Sequence, residues 1–122
     1  MNLNSIMIGT EDAPKLTAFY TKVFGAPTWE DSGYTGWQIG SGGLMIGPHD
    51  KVSGANAQPG RLIWNIESAD VQADFEKLRD AGATVVQEPY RPDENAEMWI
   101  ATFADPDSNY FQLASVMENV PS

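Results

Sequence analysis

Apolar residues first recur at helical spacing. Leu16, Phe19, Tyr20, Val23 and Phe24 follow an i, i+3, i+4, i+7, i+8 stripe, which predicts one buried helix face. Asp12 is placed to cap the start of that helix and Gly25 to end it. Asp70 lies 58 residues after Asp12 and opens a similar segment, with Val71, Phe75 and Leu78 at i, i+4, i+7 and Gly82 as its stop. A strand-like run precedes each helix, over residues 3–9 and 61–67. Three more follow each: 27–31, 34–39 and 43–47 in the first half, then 84–87, 98–103 and 110–115 in the second.

The order βαβββ is thus written twice. A half of about 60 residues buries its own sheet and helix with difficulty, so the halves are expected to form one duplicated domain. Module one spans 1–48, a polar Gly/Pro-containing linker spans 49–60, module two spans 61–117 and a tail spans 118–122. The expected class is α+β: two βαβββ modules forming a curved mixed sheet around a cavity, with helices on the outer face.

Alternation sorts the strand faces. Ile6 and Ile8, then Leu62, Trp64 and Ile66, then Phe111 and Leu113 make an apolar face suited to lie under a helix. The opposite face is mixed and carries Ser5, Met7, Asn65, Glu67, Tyr110 and Gln112. Such a face either walls a cavity or meets solvent, and alternation does not choose. The strands bearing Trp37 and Trp99 leave two roles open for each: core packing, or stacking on a planar ligand.

Composition narrows the chemistry. The 122 residues include no Cys, which removes disulfides, thiolate nucleophiles and Cys-based metal sites. The one His, His49, leaves no two-His metal site within a chain, and its Gly-Pro-His-Asp setting reads as an exposed turn. A net charge of −10 opposes nucleic acid, suits a cationic ligand and also serves solubility. The N-terminus has no signal-like pattern, and no apolar run approaches the roughly 18 residues of a membrane span. A cytoplasmic protein with no membrane partner is expected.

The sequence resembles the vicinal oxygen chelate superfamily, which includes glyoxalase I, extradiol dioxygenases, fosfomycin-modifying enzymes and bleomycin resistance proteins. The resemblance is carried by Asp12 with Ala18-Phe19-Tyr20 and Phe24-Gly25, by Asp70-Val71, Leu78 and Ala81-Gly82, and by the stretch from Phe103 to Leu113. That stretch is similar to the family's Asp-Pro-Asp/Glu-Gly-Asn-x-x-Glu-Leu, with Ser108 in place of glycine. The resemblance implies a divalent metal held from the first and last strands of each half. Carried over, those places fall on Ser5, Gly47, Ile63 and Gln112; a two-residue shift would bring in His49.

Serine is a poor ligand there, Gly and Ile side chains have no donor, and Gln112 is weak alone. No metal and no cofactor is therefore expected; a divalent ion, were one bound, would sit near Gln112 and His49. The leading expectation is a metal-free protein of the drug-binding kind, a homodimer by resemblance. It would take a small organic molecule, cationic or planar, against Ser5, Met7, Asn65, Tyr110 and Gln112, with Trp37 or Trp99 as a platform. The alternatives are a lyase, isomerase or dioxygenase, with Glu67 and Tyr110 as candidate catalytic groups, and a domain whose role is protein contact. Residues 89–97 are an acidic, Pro-containing segment that reads as a solvated loop or a lid.

Overall fold

The computed structural model describes residues 1–93 and 97–116. The backbone divides into two compact units, Met1–Ala55 and Asn56–Ser122, with the boundary inside the expected linker. The expected tail, 118–122, and residues 94–96 of the expected lid lie outside the described residues.

The first unit holds β1 (Ser5–Thr10), α1 (Ala13–Phe24), β2 (Trp29–Asp31), β3 (Tyr34–Ile39) and β4 (Gly42–Pro48). The second holds β5 (Ile63–Ser68), α2 (Val71–Asp80), β6 (Thr84–Tyr90), β7 (Ile100–Ala104) and β8 (Tyr110–Ser115). The expected βαβββ order is present in each. The strands make two four-stranded mixed sheets, β1-β4-β3-β2 and β5-β8-β7-β6. The first strand of each unit pairs in parallel with the last, and the other pairings are antiparallel.

The repeat extends to the hydrogen bonds of the strand–helix junction. Thr10 and Ser68, both buried, end β1 and β5 and accept from the N–H groups of Asp12 and Asp70 at 3.0 and 3.2 Å. Asp12 then accepts from Lys15 N at 3.1 Å and Asp70 from Ala73 N at 3.0 Å, so each carboxylate caps a free helix N–H. Gly25 and Gly82 follow the helices at φ +87° and +105°, conformations open to glycine without a Cβ penalty.

Each helix packs on one face of its own sheet. In the first unit Leu16, Phe19, Tyr20 and Val23 are buried, as are Trp37, Leu44 and Ile46 on the strands. In the second unit four rings run in near-parallel stacks: Trp64–Phe111, Phe111–Phe103 and Phe103–Phe75, at centroid distances of 5.2, 5.7 and 5.5 Å. That chain links β5, β8, β7 and α2. Trp64 therefore takes its expected place on the helix side.

Leu62 does not. It is 68% exposed, because Pro59–Arg61 winds into a 3₁₀ turn and β5 begins only at Ile63. Residues 89–90 of the expected loop are strand: β6 runs to Tyr90, its proline tolerated on an edge strand with two register shifts. The Asp105–Asn109 turn is fixed by the buried Asp105 carboxylate, which accepts from the N–H groups of Asp107 and Asn109 at 2.9 and 3.0 Å. Ser108 sits in it at φ +66°, reaching the left-handed region without glycine.

Candidate functional site

The faces turned away from the helices carry most of the candidate residues. On the first sheet, cross-strand register sets Met7 beside Met45, Met45 beside Gly36 and Gly36 beside Trp29. The Trp29 ring lies directly over Gly36, where an added Cβ would overlap its indole atoms. Tyr34 covers Gly47 in the same way, an added Cβ falling within its ring atoms. A glycine within a strand thus marks the close approach of a ring. Met7 and Trp29 remain 43% and 45% exposed, so this face is an apolar surface floored by glycine. Ser5 lies further along it, opposite Gly43.

On the second sheet the matching face is polar. Asn65, Gln112 and Thr102 stand side by side on β5, β8 and β7. The Thr102 hydroxyl donates to Gln112 Oε1 at 3.0 Å, and Gln112 Nε2 donates to Asn65 Oδ1 at 2.6 Å. Tyr110 is one step away on this face, opposite Ile63; Glu67 lies on the other side, opposite Ala114, and is exposed. The structure therefore joins Asn65 to Gln112 and sets Tyr110 and Glu67 in flanking positions.

Trp37 and Trp99 stand apart from these faces. Trp37 is 3% exposed, its ring centroid 6.2 Å from that of Tyr20, and its Nε1 donates to Gly25 O at 2.9 Å. It belongs to the helix-side core and offers no platform. Trp99 is exposed but precedes β7 at the parity of Ala101 and Phe103. It lines a cleft of about 350 Å³ with Asp70, Val71, Gln72, Pro89 and Ser115, near the start of α2. Neither stands with Asn65 and Gln112. Trp29, Met45 and Thr102 are the face residues that alternation did not single out.

Register also revises the positions a metal would use. Ser5 pairs with Gly43 and Ile63 with Tyr110, so the first-unit counterpart of Gln112 is Met45, two residues before Gly47. In the first unit the two positions then carry a hydroxyl and a thioether, and in the second a hydrocarbon and an amide. These side chains include no carboxylate and no imidazole, the usual side-chain donors to a divalent cation, and so do not fit one. His49 lies beyond the end of β4 in an exposed turn, where its Nδ1 accepts from Lys51 N at 3.1 Å. Among the described residues no three His, Asp or Glu side chains are grouped to hold a metal ion. No helix among them is long and apolar enough to cross a membrane.

Solved structures share this fold. A conserved domain protein matches with TM-score 0.77 and 24% identity, over 96% of this chain and 100% of its own. A glyoxalase-related enzyme from Fulvimarina pelagi matches with TM-score 0.73 and 20% identity, over 94% and 88%. A glyoxalase/bleomycin resistance protein/dioxygenase family enzyme from Burkholderia phytofirmans PsJN matches with TM-score 0.73 and 22% identity, over 96% and 100%. At such identities the likeness is one of fold. Among curated proteins none matches. The family model described as Glyoxalase/Bleomycin resistance protein/Dioxygenase superfamily matches residues 2–113, nearly the whole chain, and the protein belongs to that superfamily.

Proposed function

We propose that this protein binds a small organic molecule, neutral or cationic and partly planar, on the open faces of its sheets, without a chelated metal. The observation that carries the reading is the donor set at the four strand positions: Ser5, Met45, Ile63 and Gln112, with the Gln112 amide already committed to Thr102 and Asn65. A surface without Lewis-acid ligands but with exposed aromatic, thioether and amide groups is suited to binding. Each sheet is taken by itself: Ser5 and Met7 are the contacts offered by the first, and Asn65, Tyr110 and Gln112 those offered by the second. Trp29, half-exposed over Gly36, takes the stacking role that Trp37 cannot fill. The charge of −10 draws cations by long-range attraction. We further propose a cytoplasmic homodimer.

The test is a pair of measurements on protein purified without chelator. Metal analysis after dialysis is expected to find no stoichiometric Fe, Mn, Ni or Zn; a retained equivalent would overturn the metal-free reading. Titration with planar cationic antibiotics is expected to quench tryptophan fluorescence saturably, and Trp29→Ala to remove that quenching. A panel without saturable quenching would sink the binding reading.

A second reading, a lyase or isomerase, is favoured by one observation: Glu67 shares the open face of β5 with Asn65, two residues along. In that case Glu67→Gln abolishes turnover, as a lost general base would. An unchanged rate excludes that role.

A further inference from the structure

The three-residue hydrogen-bond row on the second sheet has a direction, and the direction selects a ligand group. Thr102 is 8% exposed, and its hydroxyl proton must be satisfied inside the sheet. The one side-chain hydrogen bond that the structure gives it among the described residues is to Gln112 Oε1. With that oxygen facing Thr102, the Gln112 NH₂ is turned to Asn65, whose Oδ1 accepts it. Gln87 does not extend the row, since its amide donates to Glu88 O at 3.1 Å. The remaining amide NH₂ of Asn65, on an exposed residue, is the outer end of the row.

We infer that Asn65 is a specificity-determining residue whose NH₂, held donor-outward by Thr102 and Gln112, reads an uncharged carbonyl oxygen of the ligand. An NH₂ group donates only, so the matching atom must be an acceptor. Among acceptors, a carboxylate is disfavoured by Glu67 on the same face and by the −10 charge of the chain. Of the uncharged acceptors, an amide or ketone oxygen accepts more strongly than a hydroxyl or an ether, and the proposed ligand carries it on a molecule whose flat part rests against Tyr110 and Ile63. The inference rests on the binding reading above and deepens it.

Two experiments test it, and they separate its failure from that of the reading beneath it. The first needs no ligand. In ¹⁵N-labelled protein the Gln112 side-chain NH₂ is expected to be protected from solvent exchange, and the Asn65 NH₂ to exchange freely. The reverse pattern would overturn the direction of the row. The second uses benzamide, benzoate and benzamidinium, three near-isosteres that offer a neutral carbonyl, an anionic acceptor and a cationic donor. Wild type is expected to shift the Asn65 NH₂ resonance saturably with benzamide and to prefer it over both others.

Asn65→Asp keeps the acceptor that Gln112 needs and removes the outward donor. Benzamide affinity is expected to fall about tenfold, near the worth of one hydrogen bond, and benzamidinium to become the preferred probe. If the probes bind but the variant leaves their order unchanged, the inference is wrong and the binding reading survives. If none of the three binds while planar antibiotics do, the carbonyl assignment is likewise overturned. If nothing binds at all, both fall.

Discussion

The two units share a buried face and differ on the open one. Both bury a helix against the apolar side of a four-stranded sheet, and both join strand to helix with the same hydroxyl-then-aspartate device. On the open side, the first unit sets Met7, Met45 and Trp29 over a glycine floor, while the second sets a hydrogen-bonded row of Asn65, Gln112 and Thr102. Burial constrains the helix-facing positions to apolar groups of matching volume. The opposite positions carry no such demand, and chemistry varies there between copies. A duplicated fold therefore keeps its core rules and is free to place an apolar surface in one copy and a polar one in the other.

The sharpest test contrasts buried with open aromatic residues. Phe111→Ala and Trp37→Ala remove fully enclosed rings and are each expected to cost about 3–5 kcal/mol. Urea denaturation reads the loss. If either costs less than about 1 kcal/mol, the helix-side cores are not equivalent supports of the two units.

Next in size is the glycine floor. Gly47→Ala would drive a methyl into the Tyr34 ring, and Gly36→Ala would drive one into Trp29. Each is expected to cost about 1–3 kcal/mol, the usual range for overpacking. Near-ultraviolet circular dichroism should report the displaced ring. An unchanged spectrum and midpoint would show that these rings do not rest on the strands. The caps follow: Asp12→Ala and Asp70→Ala are each expected to cost about 1 kcal/mol. Unequal losses, beyond about twofold, would break the claimed likeness of the two junctions.

Much of this was legible in the sequence where it is local. Helix stripes, Asp12 and Asp70 as caps, and Gly25 and Gly82 as stops depend on residues within a few positions of one another. Strands β3 and β8 fall where alternation set them. The failures are non-local. A constant offset of 58 holds from β1 to β5 but not from β4 to β8, because the second unit inserts more chain between helix and last strand. Only the pairing register shows that Gln112 corresponds to Met45. Trp37 lies in Thr-Gly-Trp-Gln-Ile, where the sequence does not mark which side is buried, so its facing awaited the helix that covers it. The signal for Trp29 was present in Gly36, a glycine inside a strand, but nothing nearby in sequence says which ring it admits. Thr102 lies in Ile-Ala-Thr-Phe-Ala, where the sequence does not mark which side of the strand is buried. Alternation marks both Asn65 and Gln112; the hydrogen bond that makes them a pair crosses 47 residues of chain.

The smallest expected effect concerns the two ends of the polar row, and it divides stability from recognition. Thr102→Val keeps the shape but deletes the hydroxyl that satisfies Gln112 Oε1. With Thr102 8% exposed, water replaces that bond poorly, and the loss is expected to be about 1 kcal/mol. Asn65→Ala removes the outer member. The loss of Asn65 uncovers Gln112 Nε2, which then finds water in place of Asn65 Oδ1, and stability is expected to change by less than about 0.5 kcal/mol. The inner residue thus orders the row and the outer one meets the ligand. Equal losses at the two ends, measured by urea denaturation, would mean that Asn65 serves the fold of the second sheet as Thr102 does. The polar row would then belong to the packing of its sheet and would not be a recognition surface.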